Sequence, residues 1–376
     1  MTLFAPERLT LARQLEGLRK TDLAARLGKS STAVAAWESG TKRPTPANVA
    51  ELAMSLGVTP EFFSPRGTST GQNSAVPHFR SLRSTSQRAR DQAFAYGLLA
   101  VDVAEAVEKH VEFPEVTIPA LEVAADDDTT APEEAARRLR HEWGIEAGPM
   151  KHMVRLLEAH GVLVVFSPPQ TSAVDAYSFE SSSRPIVVLN PTKRDYYRQR
   201  FDIAHELGHL VMHRDAEPGG RTVEDQANRF AAELLMPAAE LRDLLPTSMN
   251  ARAWDRLGAL KEQWGVSIQA LLFRARRLGT IGDVTYRNAV ITLTQRGWRR
   301  QEPGLVTAPE QPSMLPTSID LLASAGIVRD ALIDQARAPR ELFDIATSRT
   351  PQSPDATAPD DARPANVIPL LTRSRA

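Results

Sequence analysis

Residues 200–213 read RFDIAHELGHLVMH, and residues 224–237 read EDQANRFAAELLMP. In the first stretch, apolar residues recur at three- and four-residue spacing, which predicts a helix with one face against a core. These apolar residues are Phe201, Ala204, Leu207 and Val211. A Pro-Gly-Gly break at 218–220 separates the two stretches, so the second is predicted to form another helix that folds back over the first.

A His-Glu-x-x-His arrangement lies in the first of these helices, at His205, Glu206 and His209. Residues four apart lie one turn above each other on an α-helix, so both imidazoles can reach a single Zn²⁺ at about 2.1 Å. Glu206 then lies beside the ion, where a carboxylate can accept a proton from an attacking water and deliver it to a leaving amine. The motif therefore predicts zinc-dependent amide hydrolysis with Glu206 as the catalytic base.

Two other interpretations of this motif are open. The two histidines could share a helix by chance, although a random match of this kind is expected in roughly one chain in a hundred. The site could also be metal-free or catalytically silent. Against that interpretation, Glu206 serves no packing need beside a buried helix face.

A catalytic zinc site needs a third protein ligand, and the chain has no cysteine, so that ligand must be His, Asp or Glu. The candidates are His213, Glu224 and Glu233. His213 lies eight residues beyond His205, about 12 Å along a continuous helix, which is too far to share one ion. Glu224 opens the second helix and is the predicted ligand. Glu233 falls half a turn off that face and is predicted to be solvated.

Asn228 lies one helical turn after Glu224. Its amide oxygen is predicted to accept a hydrogen bond from the far nitrogen of a zinc-bound histidine, and the alternative is an exposed amide. Such sites often use a second electrophile, for which Tyr177, Tyr196 and Tyr197 are candidates. We interpret the tyrosines as packed side chains and leave them out of the predicted site.

A second pattern lies near the N-terminus, where residues 20–45 read KTDLAARLGKSSTAVAAWESGTKRPT. Ala24 is small where two helices would cross, and Gly28 permits a tight turn, so the segment predicts a helix-turn-helix. Residues 1–66 carry nine Lys and Arg against six Asp and Glu. The resulting net charge of +3 suits contact with phosphates.

In helix-turn-helix geometry the start of the second motif helix faces base edges, and flanking lysines lie near phosphates. The predicted base-facing residues are Ser31, Thr32 and Ala35, and the predicted phosphate contacts are Lys20 and Lys29. The Gln and Arg side chains that commonly read bases are absent, so contact is expected to be dominated by the DNA backbone. A domain used only for protein contact is the alternative. Pairing across two half-sites would make the protein a homodimer.

The two stretches at 200–213 and 224–237 together resemble the ImmA/IrrE family of bacterial metallopeptidases, whose pattern is HExxH followed by a Glu-x-x-Ala-Asn-x-Phe-Ala helix ending in Leu-Leu-Met-Pro. The resemblance covers roughly residues 150–280. It implies a zincin-like domain in which zinc is held by His205, His209 and Glu224, with Glu206 as the base. Family members can cut a partner repressor, so the implied substrate is a repressor-type protein.

Residues 5–63 resemble the Cro/repressor-like (XRE) family, which implies DNA binding. Outside these two stretches, HFRSLR, YRNA and GWRRQEPG resemble flanking regions of proteins that fuse the two families. The chain is therefore expected to be a fusion of a helix-turn-helix domain with a metallopeptidase domain.

The predicted fold class is mostly α with a small β-sheet (α+β), whose strands are VLVVF at 162–166 and PIVVLN at 185–190. Five parts are expected along the chain. They are a five-helix domain at 1–66, a linker at 67–86, a helical connecting segment at 87–145, the zincin-like domain at 146–300, and a Pro- and Asp-rich, partly disordered region at 301–376 with one helix within Ile319–Ala336.

Length and composition limit the number of domains and the class of protein. The chain has 376 residues, too many for one ordinary core, and its 42% hydrophobic and 24% charged residues argue against a wholly disordered chain. The 45 basic and 46 acidic residues balance, so whole-chain charge indicates no nucleic-acid or membrane partner. No secretion signal or membrane span is evident, so a cytoplasmic protein without a membrane partner is expected.

The leading hypothesis is a DNA-binding transcriptional regulator with a zinc endopeptidase domain. One alternative is a helix-turn-helix transcription factor whose metallopeptidase-like domain only senses a ligand or metal. A further alternative is an antitoxin or phage-type regulator that acts through protein contacts.

Overall fold

The computed structural model describes residues 4–66, 78–79, 85–127, 129–171, 174, 176–192, 195–214, 219–299 and 301–351. The fold is mostly helical with a small sheet, as predicted. Most of the predicted linker at 67–86, and all of 352–376 in the predicted tail, lie outside the described residues. None of the described helices is both long and apolar enough to cross a membrane.

The N-terminal unit is built from five short helical elements, the number that the sequence predicts. They are α1 (Pro6–Leu15), α2 (Lys20–Arg26), α3 (Ser31–Glu38), α4 (Pro46–Ser55) and a 3₁₀ turn at Pro60–Phe63. The Ser30 hydroxyl accepts from the Ala33 amide and so caps the start of α3. Gly28 adopts a φ of +61°, which lets the chain turn tightly between α2 and α3.

A four-stranded sheet lies at the centre of the rest of the described chain. Its strands are β1 (His78–Phe79), β2 (Leu163–Phe166), β3 (Tyr177–Phe179) and β4 (Ile186–Leu189). The order is β1-β3-β4-β2, with β2 parallel to β4 and the other pairs antiparallel. Every residue of β2 and β4 is buried, because helices cover both faces of the sheet.

Nine further helices lie between residues 87 and 295 in the described ranges. They are α5 (Gln87–Glu108), α6 (Ala131–Glu142), α7 (Met153–Ala159), α8 (Tyr196–Met212), α9 (Arg221–Leu235), α10 (Ala238–Leu241), α11 (Ala251–Trp264), α12 (Ile268–Arg277) and α13 (Asp283–Gln295). Helix α5 packs on one face of the sheet, and α7 and α8 pack on the other. Helix α9 packs between α8 and α6.

The region after residue 301 differs from the prediction of one helix within Ile319–Ala336. Three helices are present, α14 (Met314–Ser324), α15 (Arg329–Ala336) and α16 (Arg340–Ala346). Gly326, with a φ of +84°, separates the first two. Leu315, Leu332 and Phe343 are buried against α5, so apolar contacts order a stretch that its Pro and Asp content marks as mobile.

The N-terminal unit shares one hydrophobic core with α5 and these C-terminal helices. Polar contacts fasten the same junction: Arg8 Nη1 lies 2.5 Å from Asp102 Oδ2, and Arg66 Nη1 donates to Ala336 O at 2.8 Å. Arg337 Nη1 returns the contact by donating to Ser64 O at 3.1 Å. The helix-turn-helix unit therefore packs directly against α5 and the C-terminal helices.

Glu233 corrects one sequence prediction, because it is buried and not solvated. Its side chain is 3% exposed and forms ion pairs with Arg274 on α12 and Arg137 on α6. Both arginines reach the face of α9 opposite Glu224, and helical spacing within α9 alone carries no information about residues from other helices. A buried carboxylate in this position needs its cationic partners.

Substitution of Arg274 by methionine should destabilise the fold by about 3 kcal/mol, because it leaves a buried carboxylate with the half-exposed Arg137 as its one remaining cationic partner among the described residues. Equilibrium urea unfolding measures the change. Arg276→Met on the same helix is the control: its ion pair with Asp283 is largely exposed, and a change within about 0.5 kcal/mol is expected. Equal losses in the two variants would contradict the assignment.

Candidate metal centre

Two packed helices carry the candidate site. Helix α8 holds His205, Glu206 and His209, and the Asp195 carboxylate caps its start by accepting from the Arg198 amide. Helix α9 lies close against it at Gly208, where an added Cβ would come within 3.0 Å of the Phe230 ring. The glycine thus permits the close approach that brings α9 to the two histidines.

The structure brings together the three residues predicted as metal ligands. His205 Nε2 lies 3.1 Å from His209 Nε2. Glu224 Oε2 lies 3.4 Å from His205 Nε2, and its Oε1 lies 3.6 Å from His209 Nε2. Two ligand atoms placed tetrahedrally at about 2.1 Å from one zinc ion are about 3.4 Å apart, so the spacing matches that of a zinc site.

The state of the donor atoms also fits a cation. Asn228 Oδ1 lies 3.1 Å from His205 Nδ1, so that nitrogen donates and the Nε2 lone pair is directed at the cluster. Glu224 Oε1 is buried and accepts no hydrogen bond from any described residue. Lone pairs this close repel one another unless a positive charge lies between them. The donor set therefore suits a divalent ion, and its two imidazoles and one carboxylate suit zinc.

Glu206 is fully buried next to the two histidines. The Ser178 hydroxyl on β3 lies 2.8 Å from Glu206 Oε2 and 3.2 Å from Glu206 O, and its hydrogen bond to Oε2 helps to orient the carboxylate. Sequence reasoning missed Ser178. The contact depends on where the three-residue strand β3 lies against α8, and no local pattern reports that.

His213 does not join the three candidate ligands, in keeping with its distance along α8. It is nevertheless buried beside them, with its Nδ1 3.0 Å from His209 Nδ1 and its Nε2 2.8 Å from Gln226 Oε1. Sequence reasoning weighed His213 only as a ligand and did not consider Gln226. The sequence does carry a signal for both residues: His213 lies one helical turn after His209, and Gln226 lies two residues after Glu224.

The candidate tyrosines contact other parts of the structure. Tyr177 is buried and donates to Ala93 O on α5, and burial raises the pKa of its hydroxyl well above the ordinary value. Tyr197 donates to Leu305 O at 3.2 Å, and the Tyr196 ring lies under the Arg200 guanidinium. The contacts of Tyr177 agree with the interpretation of a packed side chain, whereas Tyr196 and Tyr197 also line a cleft beside the candidate site.

A cleft of about 880 Å³ lies beside the candidate site. Asn228, which contacts His205, forms part of its wall together with residues of α8, α11, α12, α13 and the segment 301–307. Aromatic side chains line it at Phe201, Phe273 and Tyr286. A cleft of this size can hold several side chains of a peptide.

The residues predicted to contact DNA lie on the outer side of α2 and α3. Lys29, Ser31 and Thr32 are exposed and Ala35 is half-buried. Lys20 Nζ lies 3.4 Å from the buried Glu38 carboxylate, so this lysine also serves the fold of the domain. Two exposed basic residues that sequence reasoning did not single out, Lys42 and Arg43, lie in the segment between α3 and α4.

Comparison with known families agrees with the geometry. Residues 157–276 match a peptidase family model described as an IrrE N-terminal-like domain, and residues 9–63 match one described as helix-turn-helix. The first range contains all of α8 and α9, and the second contains α2 and α3. No curated protein matches the chain.

The two matched ranges define a DNA-binding regulator that carries a metallopeptidase-type domain. More particularly, the chain fuses an XRE-type helix-turn-helix to an ImmA/IrrE-like peptidase domain, and the resemblance inferred from sequence is confirmed.

Proposed function

We propose that the peptidase domain is a zinc-dependent endopeptidase and that its substrate is a repressor-type protein. One observation carries the proposal. The Nε2 atoms of His205 and His209 and the carboxylate of Glu224 converge at 3.1 to 3.6 Å, and Glu206 adjoins them. This is the donor set and spacing that a catalytic zinc requires.

Bound zinc would polarise the scissile carbonyl and acidify the attacking water. Glu206 would accept a proton from that water and transfer it to the leaving amine, with Ser178 holding its carboxylate in place. Only one of the three candidate ligands, Glu224, is negatively charged, so a divalent ion would keep a net positive charge to stabilise a developing oxyanion.

The identity of the substrate as a repressor-type protein is supported by the helix-turn-helix in the same chain. A peptidase fused to a DNA-binding domain is brought near proteins bound on the same DNA, which raises their effective concentration. We also propose that the exposed side of α3 meets DNA in the cytoplasm, and that paired half-sites bring two chains together.

The experiment compares wild type with Glu206→Gln in two measurements. Elemental analysis of purified protein gives the bound metal, and mass spectrometry of a digested peptide library gives new peptide termini. If the domain is a zinc endopeptidase, both proteins should contain zinc, and only wild type should produce new peptide termini. Zinc in both proteins with new termini from neither would favour the sensor hypothesis. Absence of stoichiometric zinc from wild type would overturn the proposed site.

DNA contact by the helix-turn-helix is tested separately with Lys29→Ala. Loss of one phosphate contact should weaken binding by a similar factor on every sequence and lower the slope of log affinity against log salt concentration by about one. Fluorescence anisotropy with a labelled duplex, titrated at several KCl concentrations, measures both. Lys109→Ala, at the exposed end of α5, is the matched control and should behave as wild type. An unchanged slope for Lys29→Ala would remove this residue from the interface.

A further inference from the structure

A buried polar chain runs behind His209, on the side away from Glu224. It begins at Gln226, whose Nε2 donates to Ala124 O at 2.8 Å and to Asp127 O at 2.7 Å. Both hydrogens of the amide are thereby used. Turning the amide over would set its oxygen against two carbonyl oxygens, so the orientation of Gln226 is fixed.

The fixed amide determines which nitrogen of His213 carries the hydrogen. Gln226 Oε1 can only accept, and it lies 2.8 Å from His213 Nε2, so this nitrogen donates. In a neutral imidazole the other nitrogen then accepts. His213 Nδ1 lies 3.0 Å from His209 Nδ1, so the hydrogen between them belongs to His209.

The hydrogen on His209 Nδ1 in turn determines which nitrogen of this ring faces the candidate site. With its hydrogen on Nδ1, His209 presents the Nε2 lone pair to His205 and Glu224. Gln226, His213 and His209 are all at most 1% exposed, so water does not compete for these hydrogen bonds. The loop that anchors Gln226 is itself tied to α8, since the Val123 amide donates to Met212 O.

We infer that His213 and Gln226 are positioning residues that set the tautomer and ring orientation of His209 for metal binding. The inference rests on the proposed zinc site. The two candidate histidines are then oriented by different means, His205 by the amide of Asn228 and His209 through a second imidazole. Both acceptors are neutral, so neither reduces the positive charge that a divalent ion would bring, as a carboxylate would.

The tautomers can be measured directly in metal-free, full-length protein. Long-range ¹H–¹⁵N correlation spectra of histidine-labelled protein at pH 8 distinguish Nδ1–H from Nε2–H rings. The inference requires Nε2–H for His213 and Nδ1–H for His209. The opposite tautomer on either ring would overturn it. Gln226→Met, which removes the fixed acceptor, should convert the His213 signals to a mixture of tautomers.

Zinc affinity of two matched variants separates hydrogen bonding from packing. His213→Phe keeps a ring but offers no acceptor, whereas His213→Asn loses the ring but places an amide oxygen near the Nδ1 position. Competition with a chromophoric chelator should show zinc binding weakened about 10- to 100-fold in His213→Phe and restored to within about threefold of wild type in His213→Asn. The reverse order would show that the ring acts only by packing and would overturn the inference.

Exposed His141 on α6 provides the control, and His141→Phe should bind zinc as wild type does. Thermal unfolding without metal checks that each variant folds. If His213→Phe does not fold, the tautomers of wild type and Gln226→Met still decide. Failure of the proposed function gives a different result, because wild type would then bind no zinc. If only this inference fails, wild type still binds zinc, but the metal-free protein shows the opposite tautomers or His213→Phe binds zinc as tightly as wild type.

Discussion

Replacement of Glu206 by glutamine should lower the turnover of peptide substrate by about 10²- to 10⁴-fold while zinc stays bound. The physical reason is specific to this position. An amide cannot accept a proton at neutral pH, so the step that activates water is lost. The amide is nearly isosteric with the carboxylate, and its oxygen can still accept from Ser178, so the buried site should keep its packing.

The measurement is single-turnover cleavage of a peptide identified from the library digest, with zinc content determined on the same samples. Glu142→Gln on the exposed end of α6 is the control for a Glu-to-Gln change and should cleave as wild type does. Cleavage retained in Glu206→Gln would show that another group is the base. Loss of zinc from that variant would show that this carboxylate binds the ion, contrary to the assigned role.

The parts of the site that the sequence predicted are those set by short-range geometry. A four-residue spacing on a helix places His205 and His209 on one face whatever surrounds them. The position of Glu224 depends on a second helix packing against the first. Glu224 could be proposed as a ligand because the Pro-Gly-Gly sequence at 218–220 and a second motif mark the start of that helix. The separation of ligand atoms then depends on the Gly208–Phe230 contact, which is a packing detail.

The parts that sequence reasoning missed depend on neighbours distant in the chain. Ser178 reaches Glu206 from a strand 28 residues earlier, and Gln226 is held by a loop about 100 residues before it. Burial of Glu233 follows from helices on both sides of α9. No periodicity within one element reports what covers its second face, so the sequence alone predicts a solvated Glu233.

The C-terminal region shows the same limit for the fold. Its composition predicted mobility, and the described part instead contributes Leu332 and Phe343 to the core shared with α5 and the helix-turn-helix. Short helices with few apolar residues are weak signals in isolation. They are stabilised by a surface that another part of the chain provides.

Glutamine in place of Glu224 should weaken zinc binding by about 10²- to 10³-fold and abolish cleavage at micromolar zinc. Removing one partner of a buried ionic contact costs about 3 to 5 kcal/mol, and the partly exposed Glu224 side chain favours the lower end, about 3 to 4 kcal/mol. Each 1.4 kcal/mol is a factor of about ten in affinity. The amide keeps the shape of the side chain but not its charge. Chelator competition measures the affinity, and the stabilisation of the fold by added zinc should fall in parallel.

Asp225→Asn is the matched control, because this neighbouring carboxylate is half-exposed and pairs with Arg277 at 2.8 Å instead of facing the histidines. Its zinc affinity should equal that of wild type. Wild-type affinity in Glu224→Gln would mean that the ion takes a different third ligand. Glu206→Gln should lose hydrolysis with zinc retained, and Glu224→Gln should lose both. The two variants therefore distinguish the proposed proton acceptor, Glu206, from the proposed metal ligand, Glu224. The two side chains lie in the same site because α8 and α9 pack against each other.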